Sequence, residues 1–413
     1  MRRVVVTGMG MITALGCGID KNWQKLISST SGISKIDSFE TEDLPSKVGG
    51  VIKNSSIDKF FSEKDKRKMD KFILYSLIAS DEAIENSGWV IKDDKQAARS
   101  GVIIGSGIGG LSTIYENSIL LEKSSPKKIS PFFIPSSLIN LASGQVSIKH
   151  NFKGPNHSTV TACASGGHAI GDSFRLIQLD KADIMIAGGA EAAICRIGVA
   201  GFCALRALST KFNNEPKKAS RPFDDDRDGF VMGDGAGTLV LEEYEHAKRR
   251  NANIIAEIVG YGSSGDAYHI TAPPEDGNGA QKCVISALND AKKNPEDIDY
   301  INAHGTSTPV GDKIEIKSIK KIFFNNLNKI KMSSTKSSIG HLLGASGSVE
   351  SIYTILSIIN KKVPPTLNLQ SPIKEAEGLD LVPLDAIDHK IEHALSNSFG
   401  FGGTNASLIF KSI

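Results

Sequence analysis

Short apolar runs rich in β-branched residues recur along this chain, and most of them end in glycine. Val4-Val5-Val6-Thr7-Gly8, Val102-Ile103-Ile104-Gly105 and Ile184-Met185-Ile186-Ala187-Gly188 are of this kind, with Leu239-Val240-Leu241 beside them. Their length and composition predict buried strands. Longer segments between them predict helices: Met69 to Ser87, Gly166 to Asp180, Asn278 to Lys293 and Ser346 to Asn360. Strands alternating with helices imply a mixed or parallel sheet covered on both faces. A second round of elements begins near Ile254. It runs through strands at Ile254 to Tyr261, Ile298 to Ala303, Lys331 to Thr335 and Ala406 to Phe410. The seam is expected near residue 250, after the charged run Glu242 to Arg250, which divides the chain into 1–250 and 251–413. Residues 110–140, rich in Ser and Pro, read as an inserted loop region over the site.

Composition narrows the class. The chain has 413 residues, 40% of them hydrophobic, and a formal charge of +2. A sizeable core is available, and no global charge argues for nucleic acid. The five cysteines are an odd number without a C-x-x-C pair, which fits a reducing compartment better than a disulfide framework. Met1-Arg2-Arg3 before an apolar run imitates a signal peptide. The interruptions at Thr7, Gly8, Gly10 and Thr13 favour a buried strand instead. No stretch reaches about 18 uninterrupted apolar residues. The expectation is a soluble, cytoplasmic protein.

The chemistry concentrates at Thr161-Ala162-Cys163-Ala164-Ser165-Gly166-Gly167-His168, where a helix is expected to begin at Ala164 or Ser165. A thiolate is the nucleophilic form of cysteine, and the positive end of a helix favours an anion. Gly166 and Gly167 would allow a ligand to approach closely. Two histidines leave strands into small-residue loops: Ala303-His304-Gly305-Thr306-Ser307-Thr308 and Gly340-His341-Leu342-Leu343-Gly344. Such exits are where ligands of α/β folds gather. Lys336 and Glu350 could pair and set the surroundings of His341.

Alternatives stay open at this level. Cys163 could be an inert packing residue, and either histidine could be structural. A Cys/His/His zinc site uses the right ligand types but lacks the short ligand spacings of structural zinc sites. Gly105-Ser106-Gly107-Ile108-Gly109-Gly110 satisfies a dinucleotide-loop pattern, yet no strand ending in an acidic residue follows, so close backbone packing explains it better.

Taken in order, these motifs resemble the β-ketoacyl-acyl-carrier-protein synthases, most closely the elongating enzymes of bacterial fatty acid synthesis. The likeness runs from Val4-Val5-Val6-Thr7-Gly8 through Arg221-Pro222-Phe223-Asp224 and Asp228-Gly229-Phe230-Val231 to Phe399-Gly400-Phe401-Gly402-Gly403-Thr404-Asn405. The resemblance implies a thiolase-like α/β fold of five layers, α-β-α-β-α, built from two similar halves, and a homodimer without cofactor or metal. It implies decarboxylative Claisen condensation of an acyl group on Cys163 with malonyl-acyl-carrier protein. His304 and His341 would hydrogen-bond the malonyl thioester carbonyl. The backbone N–H groups of Cys163 and Phe401 would form the oxyanion hole. Lys336 and Glu350 would support the histidines, and Thr306 and Thr308 would hold the pantetheine arm. Ile108 and Phe202 would wall the acyl pocket. Phe401, among Gly400, Gly402 and Gly403, would gate it. Lys64, Arg67, Lys68, Lys127, Lys128 and Arg206 would dock the acidic carrier protein. Close rivals are a type I elongating or polyketide ketosynthase. Rivals from other classes are a thiol acyl hydrolase and a non-catalytic binding protein.

Overall fold

The computed structural model describes residues 1–413. Ten strands form one continuous mixed sheet, with the two-residue strand Gly16–Cys17 as an eleventh, folded back on the first. The first five are β1 (Val4–Thr13), β2 (Ser100–Gly105), β3 (Asn156–His157), β4 (Ile184–Glu191) and β5 (Gly235–Glu243). The next five are β6 (Ala256–Gly265), β7 (Tyr300–Asn302), β8 (Lys331–Ser333), β9 (His393–Gly400) and β10 (Thr404–Lys411). Outward from the centre one side reads β1-β5-β4-β2-β3 and the other β6-β10-β9-β7-β8. In chain order both sequences are first, fifth, fourth, second, third. Parallel and antiparallel pairings also match: β2 lies parallel to β3 and β4, and β7 parallel to β8 and β9. The two sides meet where Val4, Val5 and Val6 pair antiparallel with Ile258, Glu257 and Ala256.

Six helices follow the same plan. α1 (Lys71–Ser87), α2 (Leu141–His150) and α3 (Ser165–Gln178) belong to the first side. α4 (Asn278–Ala291), α5 (Pro309–Ile322) and α6 (Ser346–Asn360) belong to the second. α3 and α6 pack on each other and on strands of both sides. They form the middle layer of a five-layered α-β-α-β-α stack, whose outer layers include α1 and α4. Buried on every face, α6 has thirteen consecutive buried residues, Ser346 to Ile358. Its hydroxyls avoid desolvation by bonding inward: Ser348, Ser351, Thr354 and Ser357 each donate to a backbone carbonyl three or four residues back.

The glycines expected to admit a ligand serve this middle layer instead. A Cβ on Gly166 would lie 2.9 Å from Ser348 N, and one on Gly347 would lie 2.7 Å from Gly167 N. They let two helix N-termini approach closely, because side chains there would hold the backbones apart. Residues 110–140 also differ from expectation. They contain the helix Leu111–Lys123 and a shorter one at Phe133–Ser137. No residue of Leu111–Lys123 is fully buried, and its apolar side chains Ile114, Leu120 and Leu121 stand exposed.

Candidate active site

The N-terminal ends of α3 and α6 repeat one turn. A 3-10 turn Ala162–Ala164 leads into Ser165, and a 3-10 turn Leu343–Ala345 leads into Ser346. The first residue of each turn has a left-handed φ, 49° at Ala162 and 48° at Leu343. Cys163 occupies the middle of the first turn and Gly344 the same place in the second. The duplicated turn therefore carries a cysteine in one copy, while the other places His341 just before its start.

Sγ of Cys163 lies 3.0 Å from Nε2 of His341, and Nδ1 of that ring lies 2.7 Å from Oγ of Ser346. The His304 ring stands edge-on to His341, with centroids 5.4 Å apart. Phe399 packs on His304 and Phe230 on His341, both edge to face. Glu315 holds the His304 loop by accepting from the N–H groups of His304 (2.9 Å) and Gly305 (2.7 Å). Asp312 does the same for the next turn through Ser307 and Thr308. The strand exits thus become rigid because buried carboxylates take up their backbone donors.

These groups open on a cavity of about 620 Å³ lined by Cys163, His304, His341, Thr306, Thr308 and Phe401 among others. Ile108 and Phe202 line it as well, and Arg206 stands on its wall. The Thr306 and Thr308 hydroxyls are 2.9 Å apart. The loop of Phe401 packs against the nucleophile turn: a Cβ on Gly400 would lie 2.7 Å from Thr161 O. Gly402 and Gly403 take φ values of 85° and 70°, which a side chain would strain. Lys336 and Glu350 are outside the lining. They form an ion pair with each other, 1% exposed, behind the histidines. Lys64, Arg67, Lys127, Lys128 and Arg206 are exposed, Lys68 is partly so, and none is salt-bridged. Lys68 sits over the Phe132 ring, which brings the 64–68 segment beside the loop of Lys127 and Lys128.

Burial dominates the electrostatics. It pushes the Cys163 thiol up to about 11, against the opposing pull of the Lys336 cation and the Phe401 N–H. A helix end is expected to favour the thiolate; burial opposes that and favours the neutral thiol. Burial and then Lys336 hold His304 and His341 well below the ordinary imidazole value, so both rings are neutral at physiological pH.

Sequence reasoning missed Glu315, Asp312, Ser346 and Glu191. Glu191 ends β4 and accepts from Ser106 Oγ and from the N–H groups of Gly107, Ile108, Gly109 and Gly344. The glycine-rich loop after β2 therefore does cradle an anion, but one supplied by the chain itself. Only the excess of backbone donors in that loop hinted at it.

A Cys–His pair facing a second histidine in a deep cavity, at the junction of two equivalent halves, defines a thiol-based condensing enzyme of thiolase-like architecture. Comparison with known proteins agrees. Residues 1–247 match the β-ketoacyl synthase N-terminal domain and residues 255–370 the β-ketoacyl synthase C-terminal domain. A 3-oxoacyl-[acyl-carrier-protein] synthase 2 of Rhizobium meliloti is 54% identical, covering 100% of this chain and 99% of the relative. A mitochondrial 3-oxoacyl-[acyl-carrier-protein] synthase of Arabidopsis thaliana is 48% identical over 100% of this chain and 94% of its own. A β-ketoacyl synthase structure from Burkholderia phymatum STM815 superimposes with a TM-score of 0.91 at 37% identity, covering both chains fully. A type II polyketide ketosynthase solved with its acyl-carrier protein gives 0.92 at 33%, covering 100% of this chain and 99% of that one. The chain belongs to the β-ketoacyl synthase family.

Proposed function

We propose that Cys163, His304 and His341 carry out the decarboxylative condensation of acyl-acyl-carrier protein with malonyl-acyl-carrier protein, giving a 3-oxoacyl-carrier protein and CO2 in fatty acid elongation. The observation that carries this assignment is the 3.0 Å approach of the Cys163 sulfur to His341, with His304 beside it at the cavity wall. Sulfur takes the acyl group, and the thiol proton leaves with the departing pantetheine sulfur. The N–H groups of Cys163 and Phe401 stabilise the oxyanion of that transfer. Malonyl thioester then binds with its carbonyl between the two imidazoles. Their hydrogen bonds stabilise the enolate formed as CO2 departs; its carbon attacks the acyl-cysteine, the C–S bond breaks, and the Cys163 thiolate that leaves takes a proton from water to restore the thiol. Neutral rings suit donors that need no formal charge.

Thr306 and Thr308 hold the pantetheine arm, while Ile108 and Phe202 limit the acyl chain. Phe401 gates the cavity, and Lys336 with Glu350 tunes the histidines from behind. Lys64, Arg67, Lys68, Lys127, Lys128 and Arg206 dock the carrier protein, and the absence of competing carboxylate partners supports that assignment. A homodimer is supported by the bare edge strand β3 and by the exposed apolar side chains Ile114, Leu121, Phe132, Ile134 and Val160. Residues 1–250 and 251–413 are taken as the two domains. A reducing, cytoplasmic setting is supported by five free cysteines, and no helix is long and apolar enough to cross a membrane.

Product analysis with acyl- and malonyl-carrier proteins tests the reading. A lengthened 3-oxo product and CO2, both lost in Cys163→Ala, are expected. Free acid without CO2 would indicate a hydrolase and overturn it.

A further inference from the structure

The hydroxyls of α6 do not all behave alike. Four of them donate to the helix's own carbonyls. Ser346 makes a single hydrogen bond, and its partner is Nδ1 of His341 at 2.7 Å. The equivalent residue in the duplicated turn shows what Ser346 has given up. Ser165 donates to the Ala162 carbonyl at 2.7 Å and accepts from the Thr161 N–H at 2.9 Å. In the second copy the hydroxyl has been taken from the backbone and turned onto an imidazole.

A serine hydroxyl has one proton to give and two lone pairs to receive with. Ser346 is 1% exposed and meets only this nitrogen. If it accepted from Nδ1–H, its own hydrogen would be buried without an acceptor, at the desolvation cost of an unpaired donor. If it donates, both its hydrogen and Nδ1 are satisfied. Donation leaves the ring proton on Nε2, the nitrogen that faces Cys163. His304 has no such support: its buried Nδ1 finds no hydrogen-bond partner in the chain.

We propose that Ser346 is a positioning residue that fixes His341 as the Nε2–H tautomer, so that this ring meets both the sulfur and the developing enolate as a donor. The inference rests on the reading of His341 as a hydrogen-bond donor in condensation. It makes the two histidines unequal, one held in its tautomer by the protein and the other free to choose.

The test compares wild-type enzyme, Ser346→Ala and His341→Ala. Each is labelled with ¹⁵N-histidine, and the resonances of His341 are assigned by their loss in His341→Ala. Condensation is followed separately from acylation of Cys163 by mass spectrometry. In wild type, Nε2 of His341 should be protonated and Nδ1 bare. In Ser346→Ala the two nitrogens should move toward a mixture. Condensation should slow in proportion to the fraction of rings that lose the donor tautomer, while the melting temperature stays near that of wild type. An unchanged ¹⁵N pattern in Ser346→Ala, or an unchanged condensation rate, overturns the inference. If His341→Ala itself condenses normally, the underlying reading of the site fails. If His341→Ala is dead and Ser346→Ala is indistinguishable from wild type, only the tautomer assignment fails.

Discussion

Lys336 and Glu350 form an ion pair from which solvent is excluded on both sides, each side chain being 1% exposed. The charge of Lys336 reaches Cys163 as well as both histidines, lowering the proton affinity of all three. Lys336→Ala leaves Glu350 buried without its partner. We expect a loss of about 3–5 kcal/mol of stability by chemical denaturation. The alkylation profile of Cys163 should also move to higher pH, because the cation that favours its thiolate is gone. A profile unmoved in a folded variant would contradict this coupling.

Alkylation of the wild-type enzyme should itself be informative. With the thiol near 11, thiolate is present in roughly one molecule in ten thousand at pH 7. Inactivation by iodoacetamide should then rise about ten-fold per pH unit up to the limit of protein stability. A plateau below pH 8 would show that the helix end governs this sulfur after all.

Gly166→Ala tests the middle layer. Its new methyl group would sit 2.9 Å from Ser348 N and 3.0 Å from Gly344 O. Separating α3 from α6 should cost about 1–3 kcal/mol. It should also lengthen the Cys163–His341 contact, so that acylation slows even in the folded fraction. Full activity at unchanged melting temperature would remove the packing explanation.

Asp234 is a buried carboxyl that takes no part in the proposed chemistry. Burial pushes it up to about 7, well above its unfolded value. The folded protein therefore holds a proton that the unfolded chain releases, and stability declines as pH rises from about 4 to 7. Asp234→Asn cannot ionise and keeps an oxygen for the N–H of Ile194, which donates at 3.1 Å. Relative to wild type it should gain about 2 kcal/mol between pH 5 and pH 7. Parallel stability curves for the two proteins would refute the assignment.

Arg67→Glu addresses docking. Reversing one exposed charge should raise KM for acyl-carrier protein several-fold and leave transfer from small thioesters unchanged. Added salt should weaken the wild-type enzyme more than the variant. Equal KM values would count against the basic patch.

Periodicity announced α1, α3, α4 and α6 and the long strands, because each buries an apolar run bounded by glycine or a polar cap. It did not announce Leu111–Lys123, no residue of which is fully buried, or the close packing of Gly166 on Ser348, which depends on residues 182 positions apart. Cys163, His304 and His341 were legible as candidates from their local settings, and the fold brings the three together. Glu191, Glu315 and Ser346 were not, since their meaning lies in which distant backbone or ring atoms they meet. The burial that opposes a thiolate at Cys163 was hidden for a related reason: a helix terminus is local and visible in sequence, whereas burial is assembled from the whole fold.

The antiparallel seam between Val4–Val6 and Ala256–Ile258 has a bearing on biosynthesis. Val4–Val6 must wait for some 250 further residues before their second neighbour exists. Until then they offer an unsheltered ribbon of amides to any passing strand. Chains terminated before Ala256 should therefore lean on chaperones or collect in inclusion bodies, a consequence of joining two copies of one fold through their opening segments.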